Sequence, residues 1–109
     1  MKIKRFLLIF TIPFLLNAQI LFADEAKMAK GLEIFNETAG CAACHVLKAA
    51  GSEGNIGPNL DTVEGLNYDS VMDIVTHGLG VMPAFGEDEI LTKDQIDIVS
   101  FYVANSVGK

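Results

Sequence analysis

The stretch Cys41-Ala42-Ala43-Cys44-His45 decides how the rest of this 109-residue chain is organised. Its C-x-x-C-H pattern is the attachment sequence of a c-type haem. If the stretch is helical, positions 0, 3 and 4 lie on one face, at about 100° per residue. Cys41 and Cys44 can then form thioethers to the two vinyl groups of a porphyrin. His45 can present an imidazole nitrogen to the iron, so we predict one covalently attached haem.

The cysteine pair has three other interpretations: a redox dithiol, a structural disulfide or half of a zinc site. A redox dithiol usually accompanies a βαβ pattern, and no such pattern is visible in the sequence. A zinc site needs four ligands, whereas the chain holds only two cysteines and two histidines. Placing Cys41, Cys44 and the adjacent His45 on one ion would be strained. Haem attachment is therefore the preferred interpretation.

The amino terminus has the pattern of a secretory signal peptide. Its basic residues are Lys2, Lys4 and Arg5. An apolar run over residues 6–16 follows, and Ala23 is a small residue suited to a cleavage site. Cleavage after Ala18 is the alternative. We predict that residues 1–23 are removed and that residues 24–109 form a single domain.

A retained membrane anchor is the competing interpretation of this amino terminus. Pro13, Asn17 and Gln19 interrupt the apolar run, which falls short of the roughly 20 apolar residues that a membrane span needs. We therefore expect no stable membrane insertion after signal removal. Export agrees with the cysteines, because two free thiols at this spacing would tend to pair in an oxidising compartment. The predicted location is the bacterial periplasm.

Residues 24–109 are strongly acidic. They contain five lysines and fourteen acidic residues, a net charge of −9 with neutral histidines. This charge disfavours nucleic acids and anionic membrane surfaces as partners. It favours redox proteins with a basic docking patch as partners. We expect this chain to bind them as a monomer. The acidic run at residues 87–89 is interpreted as a solvated surface.

Three segments place apolar residues at helical spacing. They are residues 25–37, residues 68–77 and a last helix that begins after Thr92. Asn67 or Asp69 can cap the second helix, and Gly78 can end it. Thr92 and Gln95 have the spacing of a capping box. Gly31 inside the first helix predicts close approach of another helix, and we find no alternating run long enough for a sheet.

Residues 78–86 form a glycine-bounded loop that contains a Met-Pro pair. Pro83 restricts Met82 to an extended backbone, so the loop presents this side chain rigidly. A rigid thioether suits a soft sixth ligand of haem iron. Met82 could instead pack into the core, but beside a haem motif the ligand interpretation is stronger. Met72 and His77, both in the second helix, are the residues that could displace it.

The turn-rich segment after the haem motif contains Gly57 and Pro58. A rigid carbonyl near Pro58 could accept the Nδ1 hydrogen of His45 and orient the ring. Pro58 could equally be an ordinary turn proline, and the residues alone leave both interpretations open. Leu60, in the same loop, is expected to fill the core.

Several motifs recur together in one known family. They are Ala29 to Phe35 in the first helix, Cys41 to His45, Gly57-Pro58-Asn59-Leu60, Val81 to Phe85 and the terminal helix with Tyr102. With these motifs in this order, the chain resembles the small class I cytochrome c family, close to the bacterial cytochrome c553 and cytochrome c6 types. The resemblance covers nearly all of residues 24–109.

The resemblance implies a compact all-α fold with the haem in the core and the first and last helices crossing. Gly31 and Phe35 would meet the last helix near Val99 and Tyr102. It also implies a set of site residues. Cys41 and Cys44 would hold haem c through thioethers, His45 and Met82 would ligate the iron, the Pro58 carbonyl would hold His45, and Leu60 would contact the haem.

The function that these inferences favour is one-electron transfer rather than enzymatic catalysis. An exposed haem edge near Cys41 and Cys44 would be the docking surface. One alternative is a dedicated electron-transfer subunit of a periplasmic dehydrogenase or oxidase. The other is a haem sensor or peroxidase with an open iron site, for which the sequence supplies no evident distal acid–base pair.

Overall fold

The computed structural model describes residues 19–109, and the predicted basic and apolar parts of the signal peptide lie outside these residues. Helix α1 covers residues 19–33 and continues as a π-helical turn, Ile34–Thr38. The other elements are a 3-10 turn Cys41–Ala43, strands β1 Val46–Leu47 and β2 Ser52–Glu53 around a 3-10 turn Lys48–Ala50, a 3-10 turn Leu60–Thr62, helix α2 Tyr68–His77 and helix α3 Lys93–Ser106. No helix within residues 19–109 has both the length and the apolar character needed to cross a membrane.

The first helix differs from its prediction at both ends. Helical backbone is already present at residue 19 rather than starting at Glu25. The chain is helical through Glu37, as predicted, but residues 34–38 form a π-helical turn in which the Ala39 amide donates to the Ile34 carbonyl at 2.9 Å. Apolar spacing cannot resolve a change of hydrogen-bond register at a helix end.

A small antiparallel hairpin follows the haem motif, although no sheet was expected. Val46 pairs with Glu53, and Leu47 pairs with Ser52. The Ser52 hydroxyl accepts from the Leu47 amide at 2.9 Å and donates to the Leu47 carbonyl at 3.3 Å. Strands of two residues are too short to show an alternating pattern. The predicted helical fold is otherwise confirmed.

The capping signals of α2 and α3 are confirmed. The Asn67 side chain, not that of Asp69, accepts from the Ser70 amide at 3.0 Å, and Ser70 completes a capping box. Thr92 accepts from the Gln95 amide at 3.2 Å, while the Gln95 side chain accepts from the Thr92 amide at 2.9 Å. Each box satisfies amides that the first helical turn leaves unpaired.

The first and last helices pack against each other, as predicted from Gly31. A Cβ atom at Gly31 would lie 2.9 Å from Tyr102 Cγ and 3.1 Å from the Ile98 carbonyl oxygen. Phe35 extends this contact, with its ring centroid 6.0 Å from that of Tyr102. Helix α2 also packs on α3, and the core comprises Ile34, Phe35, Leu47, Val71, Val75, Phe85, Leu91, Ile96, Val99, Tyr102 and Val103.

One polar network joins all three helices. The Tyr68 hydroxyl of α2 donates to the Asp97 carboxylate of α3. Lys27 of α1 lies 3.0 Å from the same carboxylate and 4.7 Å from the Phe101 ring centroid. The hydrogen bond to Asp97 raises the pKa of Tyr68 to about 12. The network therefore aligns the helices around the core without a buried uncompensated charge.

Asp61 ties the carboxyl terminus to the hairpin, and this tie should depend on pH. Its carboxylate accepts from the Lys48 amide and the Gly108 amide, both at 2.9 Å. These bonds hold the pKa of Asp61 below its ordinary value. The stabilisation is therefore present above about pH 3.9 and is lost as the pH falls through the lowered native pKa.

We expect Asp61→Asn to lower the melting temperature at pH 7 by a few degrees. The difference in melting temperature from the wild type should close below about pH 3.9. A pH-independent gap in thermal melts of the holoprotein would contradict this assignment.

Candidate functional site

The haem motif lies on a single tight turn. Gly40 precedes it with φ of 69°, a left-handed conformation that glycine adopts readily. The Cys44 and His45 amides both donate to the Cys41 carbonyl, at 3.1 and 3.0 Å. The backbone therefore brings positions 0, 3 and 4 of the motif together in one helical turn. Both cysteines are partly buried and are not bonded to each other.

His45 is held by the loop that follows the hairpin. Its Nδ1 atom lies 2.7 Å from the Pro58 carbonyl oxygen. A carbonyl only accepts, so Nδ1 carries the hydrogen of this contact, and Nε2 is the nitrogen available to a metal. The Gly57 amide donates to the Cys44 carbonyl at 2.7 Å, which draws this loop against the motif. Orientation through Nδ1 is the arrangement usual for a metal-binding histidine.

Gly57 permits the close approach between loop and imidazole. A Cβ atom there would lie 2.5 Å from His45 Cε1 and 2.9 Å from Nδ1. We expect Gly57→Ala to displace the ring or the Pro58 carbonyl, and so to destabilise the holoprotein by about 1–3 kcal/mol. It should also shift the reduction potential. Gly65→Ala is the control for losing a loop glycine without a steric clash, because Gly65 has open space around it. Its φ of 72° means that this control also includes the backbone strain of a left-handed alanine. The prediction would be contradicted if Gly57→Ala left the reduction potential unchanged and lost no more stability than Gly65→Ala.

Met82 lies in a loop that is closed at two levels. At its tip, Leu79 and Met82 exchange backbone hydrogen bonds of 3.3 and 3.0 Å. At its start, Gly78 has φ of 75°, and a Cβ atom there would lie 2.7 Å from the Met82 carbonyl oxygen. Only glycine fits this position without displacing the loop. Met82 is partly buried, whereas Leu79 and Val81 beside it are 70% and 90% exposed.

The two rival ligands occupy different surroundings. Met72 is partly buried beside the core, at a cavity of about 330 Å³. The other residues lining that cavity are Thr76, Gly86, Leu91, Lys93 and Ile96.

The His77 Nδ1 atom lies 2.5 Å from a Glu87 carboxylate oxygen, and its Nε2 atom lies 3.6 Å from Asp73. Both nitrogens of His77 therefore already face carboxylates. The sequence predicts Glu87 only as part of a solvated acidic run, because a contact between residues ten positions apart across a loop leaves no periodic signal.

The donor groups described above have the chemistry that a covalently attached haem requires. They are two thiols, one imidazole with a free nitrogen and one thioether, which are the groups that haem c attachment and ligation require. In the chain before haem attachment, burial raises the pKa of the Cys41 thiol to about 11. Leu60 is partly buried against the core. Within residues 19–109 no three His, Cys, Asp or Glu side chains cluster as a metal site.

Three comparisons place the chain among known proteins. A family model described as cytochrome c oxidase, cbb3-type, subunit III matches residues 26–103. The chain is 40% identical over 96 residues to the cbb3-type cytochrome c oxidase subunit CcoP of Azospirillum sp. (strain B510), covering 75% of this chain and 31% of that protein. It is 36% identical over 93 residues to cytochrome c6 of Gloeothece citriformis (strain PCC 7424), covering 81% of this chain and 77% of that protein. The crystal structure of the c-type cytochrome SorU from Sinorhizobium meliloti matches with a TM-score of 0.70 and 44% identity, over 78% of this chain and 95% of that one.

The helical fold and the C-x-x-C-H turn define the class as a c-type cytochrome. The chain belongs to the cytochrome c family represented by the cbb3-type subunit III model, and it carries covalently attached haem c. The sequence has one C-x-x-C-H motif, which provides for one haem. The predicted family resemblance, fold class and cofactor are therefore confirmed. The chain spans only 31% of the length of the CcoP relative.

Proposed function

We propose that this cytochrome is a periplasmic one-electron carrier between respiratory redox partners, with His45 and Met82 as the axial ligands of its iron. The observation that carries the proposal is the 2.7 Å contact between His45 Nδ1 and the Pro58 carbonyl. That contact places the hydrogen on Nδ1 and leaves Nε2 as the nitrogen of His45 available to the iron. It supports His45 as a ligand held in one orientation.

When bound, the haem supplies the one-electron couple between ferrous and ferric iron. The protein's contribution is to hold both ligands still. Pro58 restrains the imidazole of His45, and the doubly closed loop restrains the thioether of Met82. If His45 and Met82 both held the iron, no coordination position would stay open, so this pair of ligands would favour electron transfer over substrate binding. Methionine also favours the ferrous state and raises the potential.

The charge of the chain supports a particular kind of partner. Beyond residue 23 the net charge is −9, which steers a diffusing monomer toward a redox protein with a basic docking patch. The proposed docking surface lies near Cys41 and Cys44, where a haem edge would be most accessible. Association should therefore slow as ionic strength rises.

A second candidate is a dedicated subunit of a larger redox complex. The 40% identity to a subunit of cbb3-type cytochrome c oxidase favours it. Size-exclusion chromatography of a native extract separates the two candidates. A single small haem-containing peak supports the diffusible carrier, whereas co-elution with a large complex supports the subunit.

The experiment that tests the carrier function is a potentiometric titration of the purified mature holoprotein. We expect one reversible transition that fits a single electron, and no consumption of hydrogen peroxide beyond that of a free-haem control. A haem-stained denaturing gel and the intact mass establish one attached haem and the cleavage point in the same sample. Catalytic peroxide turnover would overturn the carrier in favour of the open-site alternative.

A further inference from the structure

The loop that carries Met82 is pinned at its base by backbone and side-chain contacts. On the backbone, the Phe85 amide donates to the Val75 carbonyl at 2.9 Å. The Gly86 and Glu87 amides both donate to the Thr76 carbonyl, at 3.2 and 3.1 Å. The end of helix α2 and the end of the loop therefore run side by side.

One side-chain pair spans the same base. His77 is the last residue of α2, and Glu87 is the first residue beyond the loop. Their side chains meet through Nδ1 and a carboxylate oxygen 2.5 Å apart. Each lies five residues from Met82 in sequence, so the pair closes the loop symmetrically around it. Asp73 on the preceding turn of α2, 3.6 Å from Nε2, is the other charged group facing His77.

We propose that His77 and Glu87 are positioning residues that keep the Met82 loop closed, so that the strength of their pair sets how often Met82 leaves the iron. This inference rests on the proposed ligation by Met82. Neither residue touches the reacting iron. They act through the loop ends, which their side-chain contact and the backbone bonds to Val75 and Thr76 hold together.

The pair should make loop opening depend on pH. The hydrogen bond to Glu87, aided by the charges of Glu87 and Asp73, raises the pKa of His77. A raised histidine pKa gives a contribution that is complete below about pH 6.5 and declines as the pH rises through the higher native value. Loop opening should therefore become faster from about pH 6.5 upward. The helix dipole acts in the same direction, since protonated His77 lies at the carboxyl end of α2.

The test is the rate at which excess imidazole replaces Met82 in the ferric holoprotein, followed by loss of the Met-to-iron charge-transfer band. At saturating imidazole this rate equals the rate of loop opening. We expect Glu87→Gln and His77→Gln each to raise it about two- to fivefold at pH 6, the effect of one exposed ion pair. The double variant should be no faster than either single one, because both remove the same interaction. The pH dependence should flatten in all three.

Asp88→Asn is the matched control, because it removes the neighbouring negative charge and the Asp88 side chain has no partner among residues 19–109. Its rate should equal that of the wild type. If Glu87→Gln keeps the wild-type rate and pH dependence while the band is intact, the positioning role is overturned and the carrier function stands. A wild-type protein without the band would overturn both, since Met82 would then not be the ligand.

Discussion

Replacing Met82 with leucine is expected to abolish the Met-to-iron charge-transfer band of the ferric protein while leaving the haem covalently attached. Leucine preserves volume and apolarity, so the loop can still pack. Without the thioether, the ferrous state loses its favoured ligand and the reduction potential should fall by on the order of a few tenths of a volt, within the range of about 0.8 V that axial ligands span. The open position should bind carbon monoxide rapidly in the ferrous state.

The matched control for this change is Met72→Leu. Met72 is the other methionine that could ligate the iron, and it lies partly buried in α2. We expect this variant to keep the band and the potential and to lose less than about 1.5 kcal/mol of stability. If Met72→Leu abolishes the band and Met82→Leu retains it, the ligand assignment is reversed.

Replacing Gly31 with valine should be the most damaging change away from the haem. Even one added carbon would lie 2.9 Å from Tyr102 Cγ and 3.1 Å from the Ile98 carbonyl oxygen, and valine adds two more carbons. Helices α1 and α3 would have to separate, which also disturbs the contact between Phe35 and Tyr102. We expect a loss of about 3 kcal/mol in the free energy of unfolding of the holoprotein.

Ala29→Val separates this packing effect from helix propensity. Ala29 is exposed on the same helix, so its replacement should cost only the propensity difference of about 0.5 kcal/mol. Thermal or denaturant unfolding, followed by circular dichroism, measures both variants. Equal losses at the two positions would show that Gly31 does not mediate close packing of α1 against α3.

The helices that the sequence predicted best are those with local capping signals. The Asn67 cap and the Gly78 stop define α2, and the Thr92–Gln95 box begins α3. These signals act over three or four residues, so the sequence displays them directly. The sequence does not reveal the hairpin, because strands of two residues show no alternating pattern. It does not reveal the π-helical turn after Glu33, because that turn changes only the hydrogen-bond register.

The candidate site shows the same division between local and distant contacts. Cys41, Cys44 and His45 were recognisable because their spacing alone implies their chemistry. The contact of His45 with Pro58 spans thirteen residues, so the residues alone left it open and only the family resemblance implied it. The pair of His77 and Glu87 spans ten residues across a loop and has no motif. Such pairs depend on how loops fold back, which local patterns do not encode.

The most direct test of the central claim is carbon monoxide binding to the reduced wild-type protein at neutral pH, combined with the absorption spectrum of its oxidised form. Ligation by both His45 and Met82 predicts a Met-to-iron charge-transfer band in the ferric spectrum. It also predicts carbon monoxide binding no faster than loop opening and independent of gas concentration at saturation. A ferric spectrum without that band, together with rapid binding that is proportional to gas concentration, would contradict a closed electron-transfer site.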